Sequence, residues 1–234
     1  TYADERPDYP DAAVRWALEP VAGAPRVLDL AAGTGKLTGV LLRGGTPADR
    51  IVAVEPDPQM RAEFRHRVTG VAPLAGSAEQ IPLPDGSVDA ILVGQALHWF
   101  DLDRAVPEMR RVLAPGGVLA GLWNLDDDRV PWVAGLQQVA EESRSAGGWR
   151  RRPLPGSTRF PTAERAEFPH VHRRTAESLA ATIGTHSHAL ILDDAERAEL
   201  LGRIRDYLRS RPETRSGEFD LPMVTLALRV RPGD

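Results

Sequence analysis

Residues 27–39 read VLDLAAGTGKLTG, from Val27 to Gly39. An apolar run broken by Asp29 leads into a turn of Ala and Gly. Lys36, Leu37, Val40, Leu41 and Leu42 then continue at positions compatible with a helix. The pattern is a strand, a glycine turn and a helix start. A dinucleotide fold wants G-x-G-x-x-G directly after a strand. Gly33 and Gly35 fit that spacing, but Thr38 stands at the third position and Gly39 comes one residue late. Asp29, four residues before Gly33, would repel a pyrophosphate. It suits a ligand with an ammonium group and ribose hydroxyls but no phosphates. A Walker A loop is excluded, because Leu37 follows Lys36 where Ser or Thr should hold magnesium.

Outward from that turn, Ile51–Val54 reads as the second strand and ends at Glu55, 22 residues beyond Gly33. An acid at that offset can accept both hydroxyls of a ribose. Pro56 and Asp57 open the next helix with Asp57 as its cap, and Met60 is either core or an apolar cover on a ligand base. Val71–Ala75 is expected to be a short third strand running into Ser77-Ala78-Glu79, a turn within reach of a purine edge. Val88–Val93 is the fourth strand. Gln95-Ala96-Leu97-His98-Trp99-Phe100 follows it, beside the glycine turn at the point where the strand order of such a sheet reverses. His98 reads either as a general base, since imidazole titrates near neutrality, or as a hydrogen-bonding neighbour of the site. Trp99 and Phe100 read as pocket wall or core.

Ahead of the first strand, Thr1–Pro20 reads as an arm with an amphipathic helix from about Pro10, carrying Ala13, Trp16 and Ala17 at helical spacing. It is either a covering helix or a flap with Tyr2 or Arg6 facing the ligand. Downstream, Asp101 caps a helix over Leu102–Leu113, Pro115-Gly116-Gly117 ends it, and Val118–Trp123 is the fifth strand. Asp126, Asp127 and Asp128 lack the spacing of a calcium loop and read as a solvated helix start before Pro131–Glu142. Ser143–Thr162, with Arg150, Arg151 and Arg152, is either a solvated loop or a lid that guides an anionic substrate. Phe168–Arg173 fits a sixth strand, Ser178–Ile183 a short helix and Asp194–Leu208 a charged amphipathic helix. Val224–Val230 fits a last strand inserted beside an earlier one. His186 and His188 lack a third ligand, and no metal site is expected.

The 234 residues, 42% hydrophobic and 26% charged, fit one α/β domain over 1–234, with an arm at 1–20 and an insertion or lid at 125–165. The net charge of -4 argues against a nucleic-acid binder. Without cysteine there is no disulfide, thiolate nucleophile or Cys-based zinc site. No secretory segment or 18-residue apolar run is visible, which predicts a soluble cytoplasmic protein. The chain opens at Thr1 rather than Met, so an upstream stretch is expected to lie outside it. Lys36 is the single lysine.

Asp29-x-x-x-Gly33-x-Gly35, Glu55, the Ser77-Ala78-Glu79 turn and Pro115-Gly116-Gly117 together resemble the class I S-adenosylmethionine-dependent methyltransferases. Tyr2 with Arg6-Pro7-x-Tyr9-Pro10, and the Gln95–Phe100 stretch, resemble the small-molecule group of trans-aconitate methyltransferase-like proteins. The resemblance implies a Rossmann-like, seven-stranded, mostly parallel sheet of order 3-2-1-4-5-7-6 with strand seven antiparallel. It implies S-adenosylmethionine as cofactor and S-adenosylhomocysteine as product. The cofactor-binding set it implies is Asp29, Ala31, Gly33, Gly35, Thr38, Glu55, Pro56, Met60, Ser77, Ala78, Glu79 and Gln95. Gly33 and Gly35 would approach the amino-acid part, Glu55 the ribose, and Ala78 and Glu79 the adenine. His98, Gln95 and Tyr2 are the catalytic candidates. Tyr2, Arg6, His98, Trp99 and Trp123 are expected at the acceptor, a small molecule methylated on a carboxylate or hydroxyl oxygen. No nucleic-acid or membrane partner is expected, and the state is monomer or homodimer. A NAD-dependent oxidoreductase is disfavoured by the missing third glycine and by Asp29. A nucleic-acid methyltransferase is disfavoured by the acidic balance and by the lack of an N-P-P-Y-like tetrapeptide. A non-catalytic S-adenosylmethionine-binding protein remains open, because fold does not fix function.

Overall fold

In β1 (Val27–Leu30) every residue is buried. Val27 packs into the core on one face of the sheet, and Leu28 and Leu30 into the core on the other. That two-sided burial is what a near-continuous apolar run in a parallel sheet requires. The computed structural model describes residues 7–21, 23–141, 162–184 and 192–231. In chain order the elements are α1 (Asp11–Leu18), β1, α2 (Lys36–Arg43), β2 (Ile51–Val54), α3 (Pro58–Arg67), β3 (Pro73–Leu74), β4 (Val88–Gly94), α4 (Leu102–Val112) and β5 (Leu113–Asp126). There follow α5 (Pro131–Glu141), β6 (Glu164–Thr175), α6 (Ala176–Ile183), α7 (Asp194–Ser210) and β7 (Glu218–Val230).

The seven strands lie in the order β3-β2-β1-β4-β5-β7-β6, with β7 antiparallel, as the sequence led us to expect. The pairs β1/β2, β1/β4, β2/β3 and β4/β5 are parallel. From β1 the chain steps outward through β2 and β3, then returns to place β4 on the other side of β1. A crevice is therefore left beyond the carboxyl ends of β1 and β4, where ligands of such sheets bind.

The described residues fall into two compact units. One is drawn from Asp8–Asn124, Pro153–Phe168 and Thr225–Asp234. On one side of its sheet Ala13, Leu37, Leu41 and Phe64 of α1 to α3 pack with Val27, Ala53 and Leu92. On the other side Ala105, Met109 and Val112 of α4 pack with Leu30, Ile91 and Leu119. Arg229 fastens α1 within this unit. Its guanidinium donates to the Trp16 carbonyl, to Glu19 at 2.8 Å and to Glu164 at 2.7 Å, and lies 4.2 Å from the Trp16 ring centroid. The second unit includes Leu125–Arg152 and Pro169–Val224. Its core joins Trp132 and Leu136 of α5, Leu179 of α6, Leu200 and Ile204 of α7, and Phe219 and Leu221 of β7. There Asp127 accepts from the Arg129 backbone and guanidinium at 2.7–3.1 Å. No group of metal-ligating side chains occurs among the described residues.

Capping follows the sequence. The Asp57 carboxylate accepts from Gln59 N–H at 2.6 Å and Met60 N–H at 3.1 Å, and Asp101 accepts from Asp103 N–H. Some boundaries differ. The third strand shrinks from the expected Val71–Ala75 to two residues, because Pro73 has no N–H for the ladder. The chain leaves α4 at Val112 directly into β5, so Pro115-Gly116-Gly117 lies within the extended segment. The pairing with β4 shifts register there. β6 and β7 are longer than their apolar stretches, and α6 starts two residues early because Thr175 and Ser178 form a capping box. Ser143–Pro161 with its arginines, and His186 and His188, lie outside the described residues.

Candidate functional site

Four loops leave the carboxyl ends of β1, β2, β3 and β4 side by side, since these strands are neighbours in the sheet. Two of them begin with backbone strain. Ala31 after β1 and Gln95 after β4 both have φ of 59°, in the left-handed region, and neither is glycine. A side chain there is disfavoured, and such residues collect where function demands the geometry. β1 and β4 are adjacent, with Asp29 opposite Leu92. The strain therefore sits on both lips of the crevice.

The first loop runs Ala31 to Gly35. Gly33 has φ of 56°, and nothing lies within 4 Å of where a Cβ would stand, so its Cα faces open space. Gly35 has φ of 87° and is the opposite case. A Cβ would come 2.5 Å from Val68 Cγ2 and 2.8 Å from Phe64 Cδ2, so this glycine lets α2 and α3 approach. Glu55, buried at the end of β2, ties this loop to the next. Its Oε2 accepts from Gly33 N–H at 2.8 Å and its Oε1 from Asp57 N–H at 2.9 Å. Arg61 donates to the carbonyls of Glu55 and Pro56 at 2.8 and 2.6 Å, which completes the brace. A carboxylate has about four acceptor sites, so Glu55 retains acceptor capacity for a diol while it shapes the glycine loop.

Asp29 is buried and acts inward. Its Oδ2 accepts from the Thr38 hydroxyl at 2.6 Å, and Thr38 is itself fully buried. Burial pushes the Asp29 carboxyl up to about 6, the Thr38 hydrogen bonds oppose the rise, and the Glu55 charge adds to it. A carboxyl raised from 3.8 to about 6 binds more protons folded than unfolded between those values. Stability supplied by protonated Asp29 is therefore lost as pH rises through that window. Asp29→Asn is expected to flatten the fall in stability between pH 4 and pH 7, by at most about 3 kcal/mol, while weakening cofactor binding. Urea denaturation across pH and calorimetry read the two effects. Asp126, raised by burial to about 6 with the Arg174 charge opposing, keeps its own share of the same slope in the variant.

The third loop holds Ser77, Ala78 and Glu79. Ser77 and Gln80 form an isolated bridge. The Ala78 side chain is in the core, so the residue offers its backbone. Glu79 Oε1 accepts from Asp101 N–H at 3.0 Å, which links this turn to the start of α4. Burial raises the Glu79 carboxyl, but hydrogen bonds from Ser77 and from the Glu79 and Asp101 backbone, with Arg104 nearby, hold it below the usual range. Pro56 is exposed and Met60 half-buried at the start of α3.

The fourth loop begins at Gln95, whose N–H donates to the Leu122 carbonyl at 2.8 Å and whose Nε2 donates to the Asn124 carbonyl at 2.9 Å. A one-turn helix over Leu97–Trp99 follows, anchored by buried Leu97. The His98 ring centroid stands 4.8 Å from that of Trp99. Burial lowers the His98 pKa, which favours neutral imidazole at pH 7. Trp99 is 76% exposed, and Trp123 is buried in the core over Gly121 with no hydrogen-bond partner for its Nε1. The two tryptophans expected at the acceptor thus stand in opposite environments. Tyr2 and Arg6 lie outside the described residues.

Sequence reasoning missed Asp8, Tyr9 and Asn124 as parts of this constellation. Asn124 Nδ2 donates to the Asp8 carbonyl at 3.3 Å, and Asn124 Oδ1 accepts from the Thr225 hydroxyl. The buried Tyr9 phenol lies against Gly94, where a Cβ would overlap its hydroxyl. The Arg6-Pro7-x-Tyr9-Pro10 motif pointed at this stretch, but no local signal marks Asn124.

The loops offer an acid with spare acceptor capacity at the end of β2, an open glycine after β1 and a polar turn after β3. Comparison with known proteins identifies the family. Residues 28–121 match the methyltransferase domain model. The chain is 40% identical over 231 residues to an uncharacterized methyltransferase of Mycobacterium tuberculosis, covering 98% of this chain and 91% of that one. It is 39% identical over 116 residues to a malonyl-[acyl-carrier protein] O-methyltransferase of Methylococcus capsulatus, 47% of this chain and 42% of that one. Among solved structures, a "Putative Type II Methyltransferase" from Anaeromyxobacter dehalogenans superposes with a TM-score of 0.76 at 26% identity, covering 97% of both chains.

Proposed function

The chain belongs to the class I S-adenosylmethionine-dependent methyltransferases, and from that premise we propose that it methylates an oxygen of a small molecule, a carboxylate or a hydroxyl. The observation that supports the reading is the loop after β4, in which the strained Gln95 is held by the Asn124 carbonyl and neutral His98 follows three residues on. S-adenosylmethionine, when bound, would supply a methyl activated by its positive sulfur, with S-adenosylhomocysteine as the leaving group. The chain's residues then position and desolvate the acceptor. Glu55 would hold the cofactor's ribose, Gly33 would approach its amino-acid part, and the turn from Ser77 to Glu79 would meet its base. Gln95, with its amide held by the Asn124 carbonyl, would border the methyl.

Neutral His98 can take the proton from a hydroxyl acceptor, and a carboxylate acceptor needs no base. A malonyl-[acyl-carrier protein] O-methyltransferase matches 47% of the chain and a ubiquinone/menaquinone C-methyltransferase 43%, at similar identity, so these matches bear on the shared methyl-donor domain. The net charge of -4 favours a small molecule over nucleic acid. Among the described residues no helix is long and apolar enough to cross a membrane. Action in the cytoplasm, as monomer or homodimer, completes the proposal. The test incubates the protein and S-adenosylmethionine with panels of carboxylates, phenols, alcohols and amines, and identifies products by mass. Methyl esters or ethers support the reading, and turnover confined to amines overturns it.

A further inference from the structure

Asp8 is held from two sides, by α2 through its carboxylate and by Asn124 at the end of β5 through its backbone carbonyl. On the cofactor side its carboxylate pairs with Lys36 Nζ at 3.2 Å and Arg43 Nη2 at 2.7 Å. Lys36 is the first residue of α2, directly after Gly35. On the other side the Asp8 carbonyl accepts from Asn124 Nδ2 at 3.3 Å, and the Asn124 carbonyl holds Gln95 at 2.9 Å. The amide orientation of Asn124 follows from its partners: the Asp8 carbonyl can only accept, so Nδ2 faces it, and Oδ1 takes the Thr225 hydroxyl. Tyr9, next in the chain, rests on Gly94, the residue before Gln95. Residues 8 and 9 therefore form a strap from α2 to the ends of β4 and β5.

The two ends of the strap differ in strength. The Asn124 and Gly94 contacts are made by the buried Asn124 and Tyr9 side chains, whereas the ion pairs lie nearer solvent, with the Arg43, Asp8 and Lys36 side chains 57%, 48% and 24% exposed. Exposed pairs are weak and screened by salt. Such an attachment can break and re-form while the Tyr9 end stays seated.

We propose that the Asp8 pairs with Lys36 and Arg43 are a releasable clasp over the crevice, and that opening it governs passage of the cofactor and its product. The proposal rests on the cofactor reading above. A clasp that gates passage affects entry and exit alike, so weakening it raises both rates and moves affinity little. A residue that touches the ligand would instead raise the dissociation rate and weaken affinity together.

The experiment measures association and dissociation of S-adenosylhomocysteine on the full chain by surface plasmon resonance. Asp8→Asn keeps the carbonyl that Asn124 holds and removes the ion pairs, and Arg43→Gln removes one pair from the far end of α2. Each is expected to raise both rates about five-fold at low salt, with Kd changed less than about two-fold. Wild-type rates should rise similarly between roughly 0.1 and 1 M salt, and Asp8→Asn should lose that response. Unchanged rates in both variants overturn the clasp, as does a faster dissociation alone with weakened affinity. If the wild-type chain does not bind S-adenosylhomocysteine, the cofactor reading fails and the clasp with it. Binding with unaltered rates removes the clasp only.

Discussion

Glu55→Ala is expected to weaken S-adenosylhomocysteine binding by roughly 100-fold, through two losses that compound. The carboxylate accepts from Gly33 N–H and Asp57 N–H, so its removal leaves two backbone donors without the acceptor that oriented them. It also removes the acceptor for the ribose hydroxyls. A hydrogen bond to a charged group contributes about 1.5–3 kcal/mol, and losing one such bond to the ligand accounts for a factor near ten to a hundred. Glu55→Gln separates the parts. One amide oxygen can satisfy only one of the two N–H groups, while its NH₂ confronts the other, so an intermediate loss of about ten-fold is expected. Calorimetry on both variants gives the comparison. Affinity equal to wild type in Glu55→Ala would remove Glu55 from the cofactor site.

Gly35→Ala is expected to destabilise the fold by about 2–4 kcal/mol, the sum of a left-handed penalty and overpacking against Val68 and Phe64. Both neighbours are in the core, so neither can swing away into solvent. Gly33→Ala has the same chirality penalty but open space around the new methyl, and should cost only about 1 kcal/mol in stability. Its methyl would instead stand where the ligand approaches, so its effect should fall on binding. Denaturant unfolding read beside ligand titration tests the contrast. Equal destabilisation by the two substitutions would show that packing at Gly35 is not the constraint.

Much of the central fold was legible because its causes are local. Ile51–Val54 is a strand with the predicted bounds, and Asp57 and Asp101 cap the helices that follow them. The departures are local too. A proline lacking an N–H shortens β3, and β5 absorbs a Pro-Gly-Gly that reads as a helix end. The site was legible as a set of loops, and less so as a set of roles. Asp29 reads as a group facing a ligand ammonium, and the fold adds a partner that spacing did not show, the Thr38 hydroxyl in the first turn of α2. Trp123 is expected at the acceptor, and both faces of β5 are buried at that point, so periodicity cannot say which side faces a ligand.

The sequence by itself determined the family, the strand order that goes with it and the acidic and glycine residues that favour a phosphate-free adenosine ligand. Each of these is written in short-range spacing, where backbone preference and side-chain chemistry act within a few residues. Only the tertiary structure decided what those residues hold. It joined Glu55 to Gly33 across 22 positions and Asn124 to Asp8 across 116, and strained Ala31 and Gln95 on facing strand ends. Hydrogen bonds across such separations depend on which strands become neighbours, and that is settled by packing the whole sheet rather than by any one stretch of chain.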